Sequence, residues 1–388
     1  MKKILALTSI RSDYDLMSGV YRLLHADYDI DLQLLVSGAH LSATFGNTVD
    51  LIRKDGLNIL CEIPSLIHSD TQTARLKTAS SLLQDAIDVV AAWRPDLIIY
   101  AGDREDVLIG AMLGAFLRIP TLHFFGGDHE KDGHVDTLIR HASSKLSSFH
   151  VVSIEQHRQR LMKMGEPAER ILVAGSVALD KFYEQSARAA IPPSAIFPAQ
   201  KKLDGYAMVI YHPIEEDGRF DHAGHVFETL LLTLKKMGIP AIVSYPNSDP
   251  GNQGIIKKIQ QYQHDPQFWF YTNLERETFL SLYKQARFLI GNSSSGILEA
   301  ASLPLGVVNV GLRQRGRFSG SNVIFCGNAE SEMEKAINSV IAPDFQTAIM
   351  DMRNPYGDGH SCQKVVDFIK ATDFDRLIQK TDDPLEMD

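Results

Sequence analysis

Residues 288–301 have the sequence FLIGNSSSGILEAA, in which an apolar run leads into a polar turn and then into a second apolar-rich segment. The run at residues 288–290 predicts a buried strand, and the serines after it predict the start of a helix. A strand, a tight turn and a helix form the unit from which parallel α/β sheets are built. The stretch therefore predicts an α/β domain in which the turn from Gly291 to Gly296 lies at the carboxyl end of a strand.

Outward from this stretch, short apolar runs and helical patterns alternate along most of the chain. Further strands are predicted at residues 4–8, 32–36, 97–100, 120–125, 150–152, 171–173, 209–211, 241–245, 268–271 and 305–310. Residues 187–204 hold three prolines and no periodicity, which indicates an inter-domain linker. We therefore predict two Rossmann-like, doubly wound domains at residues 1–186 and 205–359. A C-terminal helix and acidic tail at 360–388 are expected to pack back on the first domain.

The composition is that of an ordinary globular protein, with 44% hydrophobic and 22% charged residues among 388. A formal net charge of -9 argues against a nucleic-acid-binding surface, since such domains are usually basic. No stretch approaches the roughly 18 apolar residues of a membrane span, and the apolar run at the N-terminus is too short for a signal peptide. The three cysteines are far apart and follow no ligand-like spacing. We expect a cytoplasmic protein with no nucleic-acid or membrane partner.

The serine turn carries residue types that bind phosphate. Its hydroxyls, its two glycines and the start of a helix offer donors to an anion and let it approach the backbone. Arg313, Arg315 and Arg317 follow the next predicted strand and would cage a diphosphate. Glu299, one turn into the predicted helix, would accept hydrogen bonds from ribose hydroxyls. The alternatives are a serine-capped helix without a ligand and a solvated basic loop.

Polar residues also follow strands elsewhere in the chain. Asp103 and Asp128 come after glycines at two strand ends, Asp136 lies a few residues further on, and His212 ends the first strand of the second half. Carboxylates and a histidine that converge on one cleft are suited to proton transfer on a sugar. The alternative for Asp103 and Asp136 is a helix cap. Arg11, at the end of the first strand, is either a phosphate or sugar contact or a surface residue.

Residues 123–134 are rich in potential metal ligands, namely His123, Asp128, His129, Asp132 and His134. Their spacing matches no zinc pattern. We therefore predict neither a metal nor any other cofactor.

Segments along nearly the whole chain resemble the hydrolysing UDP-N-acetylglucosamine 2-epimerases of sialic acid biosynthesis. In order, they are TSIRSDY (8–14), GAHL (38–41), FGNT (45–48), GDR (102–104), HFFGG (123–127), DTLIRH (136–141), HP (212–213), PN (246–247), GNSSSGILE (291–299), GLRQ (311–314) and YGDG (356–359). Each segment is short, but their order and spacing together are specific. The resemblance implies the GT-B fold, with two Rossmann-like domains facing across a cleft, and a homodimer or homotetramer.

The resemblance also implies a reaction on a UDP-sugar. UDP is eliminated across C1–C2 to give a glycal, and water then adds to release the free sugar with C2 inverted. Asp103, Asp128 and Asp136 are the candidate base and acid, and His212 would assist the departing diphosphate. The implied contacts to UDP or sugar are Arg11, Arg104, His123, Arg140, Asn247, Ser293, Ser294, Ser295, Gly296, Glu299 and Arg313. The expected substrate is UDP-N-acetylglucosamine, which would yield N-acetylmannosamine and UDP.

Two positions depart from the family pattern, both on the sugar side. The family has Gly-Gly-Glu where this chain has Gly126-Gly127-Asp128, and it often has two adjacent aspartates where this chain has Asp136-Thr137. The changes favour either weakened catalysis or an altered sugar, such as the 2,4-diacetamido-6-deoxy sugar of legionaminic acid synthesis. Glu130 is a candidate to replace the shortened side chain of Asp128.

Other classes stay open from the residues. The non-hydrolysing 2-epimerases typically have a His-Val-Glu-Ala-Gly stretch, and residues 123–127 are HFFGG instead, so the hydrolysing branch is favoured. A GT-B glycosyltransferase would transfer the sugar without inversion at C2. A non-catalytic sugar-nucleotide-binding protein would not need the three aspartates.

Overall fold

The computed structural model describes residues 1–68, 72–130, 135–186, 191–197, 205–214, 222–247, 251–272, 274–376, 380, 381 and 383. The chain divides into two compact units. Unit 1 comprises Met1–His129, Gly133–Lys181 and Tyr356–Asp388, and unit 2 comprises Glu130–Asp132 and Phe182–Pro355. Each unit is built on a parallel sheet with helices between its strands, so the predicted two-domain α/β architecture is confirmed.

The strands of unit 1 are β1 (Lys2–Thr8), β2 (Ile30–Ser37), β3 (Ile59–Ile63), β4 (Leu97–Ala101), β5 (Thr121–Phe124), β6 (Phe149–Val152) and β7 (Ile171–Val173). They pair in parallel in the order β3-β2-β1-β4-β5-β6-β7. The helices are α1 (Arg11–Ala26), α2 (Val49–Lys54), α3 (Gln72–Trp93), α4 (Glu105–Leu117), α5 (Val135–Leu146), α6 (Glu155–Lys163) and α7 (Ala178–Ser186), the last of which runs into unit 2. The strand order reverses between β1 and β4, the kind of point where doubly wound sheets open a ligand site at their carboxyl edge.

Unit 2 repeats this plan with β8 (Ala207–Ile210), β9 (Ala241–Ser244), β10 (Phe268–Tyr271), β11 (Phe288–Gly291), β12 (Val307–Val310) and β13 (Val323–Cys326). The parallel order is β10-β9-β8-β11-β12-β13, which reverses between β8 and β11. The helices are α8 (Pro193–Ile196), α9 (His222–Lys236), α10 (Asn252–Tyr262), α11 (Arg276–Gln285), α12 (Ser295–Leu298), α13 (Glu330–Val340) and α14 (Pro343–Ile349).

The sheet of unit 1 is buried on both faces, as its continuous apolar strands require. Along β1, Ile4 and Ala6 pack into one hydrophobic cluster, and Leu5 and Leu7 pack into another on the opposite face. Successive side chains of a strand point to opposite faces, so one run supplies both cores. The polar residues are thereby left at the strand ends.

The C-terminal helix α15 (Ser361–Ala371) packs against α1 in unit 1. The backbone N–H groups of Ser361 and Cys362 in its first turn donate to the Asp180 carboxylate at 2.9 and 2.7 Å. A carboxylate there satisfies N–H groups that have no partner inside the helix. None of the helices described is long and apolar enough to cross a membrane.

The predicted linker at residues 187–204 is described only at 191–197, where the short helix α8 lies. The rest of that segment lies outside the described residues. The change from unit 1 to unit 2 falls after Lys181, inside α7.

Candidate active site

The turn after β11 is where the sequence analysis placed a diphosphate. Gly291 adopts φ +144°, and a Cβ there would lie 2.0 Å from the carbonyl oxygen of Ile210 on the neighbouring strand. Only glycine combines that backbone angle with that closeness. Glycine at position 291 therefore allows the end of β11 to lie this close to β8.

Asn292, which the sequence analysis did not single out, joins three loops of unit 2. Its fully buried side chain accepts from His212 N at 2.7 Å and donates to His212 O at 2.8 Å. Its own carbonyl oxygen accepts from Arg313 Nη1 at 3.0 Å and Gln314 Nε2 at 3.2 Å. Asn292 thus positions His212 and Arg313, which follow the two strands that flank β11. An asparagine between a strand and a serine run was the available signal.

The helix after the turn is shorter than predicted. It consists of Ser295–Leu298, and Glu299 follows its last residue instead of lying one turn inside. A single turn gives little of the macrodipole that the sequence argument invoked. Gly296 packs against Val307 of β12, where a Cβ would meet Cγ1 at 2.9 Å, so its role is close packing and not approach to a ligand.

Ser295 and Glu299 belong to a local network. Ser295 Oγ donates to Glu299 Oε2 at 2.5 Å, and Arg276 donates to Glu299 Oε1 at 2.5 Å. Ser295 is therefore engaged inside the protein, which does not fit the ligand contact expected for it. Ser293 and Ser294 are half-buried in the turn, where Ser293 Oγ accepts from Ser295 N at 3.3 Å. These two hydroxyls are the better phosphate candidates.

Of the three arginines that were expected to surround a diphosphate, only one lies against the serine turn. Arg313 lies against the turn through its bond to Asn292. Arg317 is held by Gln314 Oε1 at 3.0 Å and by Glu130 Oε1 at 3.1 Å, and Arg315 is exposed. The pairing of Glu130 with Arg317 also argues against Glu130 as a substitute for Asp128.

In unit 1, two of the candidate carboxylates share one guanidinium group. Arg140, only 6% exposed, donates to Asp103 Oδ2 through Nη2, and its Nη1 lies 3.5 Å from Asp128 Oδ2. The aspartates follow neighbouring strands, β4 and β5, and α5 carries the arginine between them. Arg140 was expected to contact the substrate. Its burial assigns it instead to holding the two carboxylates, and Asp103 remains the more exposed of the pair.

Asp128 ends a turn whose backbone is constrained. Phe125 and Gly127 have φ of +64° and +74°, and a Cβ on Gly127 would lie 2.3 Å from the carbonyl oxygen of His157. Asp128 Oδ1 accepts from the backbone N–H of His129 at 2.9 Å. Gly127 therefore lets the turn lie directly on α6.

Asp136 lies in the first turn of α5 and pairs with a residue that the sequence analysis missed. Arg75 of α3 bridges Asp136 Oδ1 and Glu105 Oε2, at 2.7 Å to each. Thr137, the other departure from the family pattern, is 7% exposed and faces the interior. The side chain at 137 thus lies away from Asp136.

His123 was expected to contact the ligand, but its side chain is completely buried. Nε2 donates to the carbonyl oxygen of Gly102 at 2.9 Å, and Nδ1 lies 3.0 Å from Ser144 Oγ. Burial lowers the pKa of His123 to about 3, so the ring is neutral. The structure fits a role in holding Gly102, next to Asp103, and does not fit direct contact with a ligand.

Arg11 and Arg104 are both exposed near the carboxyl edge of the sheet in unit 1. Arg11 is the first residue of α1, and its Nε atom lies 3.5 Å from Asp15 Oδ2. Arg104 immediately precedes α4. The loop before α1 is organised by Asp13, which accepts from Thr8 Oγ1 at 2.5 Å and Ser9 N at 3.0 Å. This bonding accounts for the Asp in the segment TSIRSDY.

Asp106 is a second residue that the sequence analysis missed. It is buried in the first turn of α4, and burial, followed by the nearby charge of Asp13, raises the pKa of its carboxyl to about 7. Among the described residues, no group of three or more histidine, cysteine, aspartate or glutamate side chains could hold a metal. Asp132 and His134, from the metal-ligand types at 123–134, lie outside the described residues.

Two parallel α/β units, one with a serine turn and the other with arginine-held carboxylates, define an α/β protein of the GT-B type. A family model described as UDP-N-acetylglucosamine 2-epimerase matches residues 22–370, and the chain belongs to this family. It is 34% identical to the UDP-N,N'-diacetylbacillosamine 2-epimerase (hydrolyzing) of Legionella pneumophila, over 96% of both chains. It is 30% identical to the UDP-N-acetylglucosamine 2-epimerase of Neisseria meningitidis serogroup B, over 84% of this chain and 83% of that one.

A solved structure of similar fold is that of the Methanocaldococcus jannaschii UDP-GlcNAc 2-epimerase in complex with UDP-GlcNAc and UDP. The TM-score is 0.78 at 18% identity, over 96% of this chain and 100% of the other. At that identity the likeness concerns the fold, and it agrees with the GT-B prediction.

Proposed function

We propose that the protein is a hydrolysing 2-epimerase that converts a UDP-linked 2-acetamido sugar into UDP and the free sugar inverted at C2. The observation that carries the proposal is the Asp103–Arg140–Asp128 group at the ends of β4 and β5. Elimination needs a base for the C2 proton and an acid that returns a proton to the opposite face. Carboxylates held at adjacent strand ends supply both, with Asp136 as the third candidate.

A carboxylate takes the proton from C2, the C1–O bond breaks, and UDP leaves with that electron pair. The resulting C1–C2 double bond is then hydrated, as C2 gains a proton on the other face and C1 gains a hydroxyl from water. The sugar is released free, and C2 has the opposite configuration.

The leaving diphosphate is assigned to unit 2. Ser293, Ser294 and Arg313 would donate hydrogen bonds to its oxygens, and charge-assisted bonds from arginine are the strong ones. His212 would donate from Nε2 to the oxygen that gains charge. Glu299, whose oxygens each retain a free lone pair beside their bonds to Ser295 and Arg276, would accept from the ribose hydroxyls.

UDP-N-acetylglucosamine is the first substrate to be tested. A second candidate is UDP-2,4-diacetamido-2,4,6-trideoxy-glucose, which the 34% identity to a diacetylbacillosamine 2-epimerase over 96% of both chains favours. The ratio of kcat/KM for the two sugar nucleotides, measured by UDP release, decides between them. We also expect a homodimer or homotetramer in the cytoplasm, and light scattering after gel filtration would measure its mass.

The decisive test is incubation with each sugar nucleotide in heavy water, followed by NMR. The proposal requires UDP and a free sugar that is inverted and carries deuterium at C2. Asp103→Asn should lower kcat by at least about a hundredfold, the scale of a lost proton-transfer group, while the Kd for UDP stays within about threefold. UDP release with retention at C2, or no loss in the variant, would contradict the proposal.

A further inference from the structure

His157 lies beside one of the candidate catalytic carboxylates, although no motif in the sequence draws attention to it. It is in the first turn of α6, and its Nε2 atom is 3.4 Å from Asp128 Oδ1. The two side chains are only 4% and 10% exposed. A polar contact at such a buried position is screened little by water.

One tautomer of the His157 ring suits this buried position. Nδ1 of His157 is buried and has no hydrogen-bond partner among the described residues. A neutral imidazole carries a single N–H, and a buried donor without an acceptor is costly. The proton is therefore better placed on Nε2, which faces the carboxylate of Asp128.

The backbone keeps the two residues together. Gly127 leaves no room for a side chain against the carbonyl oxygen of His157, and Arg160 on the same helix donates through Nη1 to the carbonyl oxygen of Gly127. The turn that carries Asp128 is thus fastened to α6 at the position of His157. The distance between the imidazole and the carboxylate follows from this packing.

The two carboxylate oxygens of Asp128 face different partners. Oδ2 faces Arg140, whereas Oδ1 faces His157 and the backbone N–H of His129. His141 of α5 and Arg160 of α6 are further charged or titratable groups that interact with Asp128. His157 and Arg140 therefore act on different oxygens of the Asp128 carboxylate.

We propose that His157 is a positioning residue that fixes the orientation of the Asp128 carboxylate through an Nε2–H directed at Oδ1. The inference rests on the proposed function, in which Asp128 handles a proton. It also gives a reason why the shorter aspartate is usable in a place where the family has glutamate. A carboxylate whose two oxygens face different partners has less of the rotational freedom that would otherwise misplace it.

Two variants of His157 separate the effect of its N–H donor from the effect of the space that its ring fills. His157→Phe keeps an aromatic ring and removes the donor, whereas His157→Gln keeps an amide N–H at similar reach. We expect kcat for UDP release to fall by about tenfold to a hundredfold in the first variant, with KM within about threefold, and to recover at least partly in the second. If His157→Phe does not fold, His157→Asn, which is too short to reach Oδ1, takes its place.

A readout that does not need turnover is the ¹⁵N NMR signal of the His157 ring. The wild type should show a protonated Nε2 and a bare Nδ1, and Asp128→Asn should perturb the Nε2 signal. His150→Gln is the control, because His150 is also buried in unit 1 but contacts Glu166 at 3.0 Å; it should leave the His157 signals unchanged.

A proton on Nδ1, or a kcat in His157→Phe within twofold of the wild type, would overturn the role of His157. If the wild type releases UDP from neither sugar nucleotide, the proposed function fails, and the ring signals still decide whether His157 is oriented on Asp128.

Discussion

The backbone N–H of Asn247 donates a hydrogen bond to Nδ1 of His212 at 3.2 Å. A ring nitrogen that accepts carries no proton, so the neutral ring of His212 has its proton on Nε2. The backbone of His212 is in turn held on both sides by the side chain of Asn292. Loops after β9 and β11 thus fix the tautomer and position of the ring, and Nε2–H can donate to a leaving phosphate without a change of charge.

Replacing His212 by glutamine and by asparagine should therefore give different results. Glutamine places its amide N–H near the position of Nε2, whereas asparagine reaches only to the position of Nδ1. We expect kcat for UDP release to fall about tenfold in His212→Gln and a hundredfold or more in His212→Asn, the scale of a lost oxyanion donor. The Kd for UDP, measured by calorimetry, should change by less than about threefold. Equal activity in the two variants would contradict the assigned tautomer.

Gly291 should tolerate no side chain. Its φ of +144° and the 2.0 Å approach of Ile210 O mean that alanine there must part β11 from β8. We expect Gly291→Ala to lower stability by more than the roughly 1–3 kcal/mol of an unfavourable backbone conformation alone. Gly238→Ala is the matched control in unit 2, since Gly238 has φ +67° but open space around it. Thermal unfolding should show a clearly larger loss of Tm for the first variant.

The sequence predicted well the features that depend on local pattern. The alternation of apolar runs and helices gave the two-domain α/β architecture. The turn from Gly291 to Gly296 was found because a strand, glycines and serines occur in succession. Two edge strands, β3 and β13, were not predicted. Their side chains are mostly half-buried, and Glu62 interrupts the apolar run of β3, so the pattern there is weaker.

Features that depend on the tertiary fold were not predictable from pattern. Arg75 and Asp136 are 61 positions apart, and no spacing rule brings them together. The burial of Arg140 and His123 likewise follows from the packing of α5 and β5, which the residue types alone do not reveal. Pro304 disfavours helix only at Leu303, so it does not account for the end of α12 at Leu298.

Asp106 should make the stability of unit 1 depend on pH. Its folded-state pKa of about 7 lies above the ordinary value of 3.8, so between these values the folded protein keeps a proton that the unfolded chain releases. Its contribution to stability therefore decreases as pH rises through this window and is constant above it. Asp106→Asn, which mimics the protonated acid, removes the dependence.

The free energy of unfolding of Asp106→Asn, relative to that of the wild type, should increase by roughly 2 kcal/mol between pH 5 and pH 8. For a unit of this size, that corresponds to about 4–8 °C in Tm, which scanning fluorimetry can measure. Glu105→Gln is the comparison: it removes one of the charges that raise the pKa of Asp106, so it should show a smaller change in the same direction. A difference in Tm between Asp106→Asn and the wild type that is the same at all pH values would contradict the raised pKa.

Arg75 joins three helices of unit 1 through two carboxylates. It lies on α3, Glu105 begins α4, and Asp136 lies in the first turn of α5, with 2.7 Å from the guanidinium to each. All three side chains are partly exposed, so the pairs contribute little to stability. The bridge is better explained as a restraint on Asp136, whose carboxylate is one of the three candidates for proton transfer.

If Asp136 handles a proton, Arg75→Gln should lower kcat by about tenfold to a hundredfold while Tm falls by only a few degrees. Glu105→Gln breaks the other arm of the bridge and leaves Asp136 with its guanidinium, so its kcat should fall much less. Steady-state UDP release, with deuterium incorporation at C2 measured in the same samples, tests this expectation. Equal losses in the two variants would show that the bridge matters as a whole. An unchanged kcat in Arg75→Gln would contradict the role of Arg75 as a restraint on Asp136.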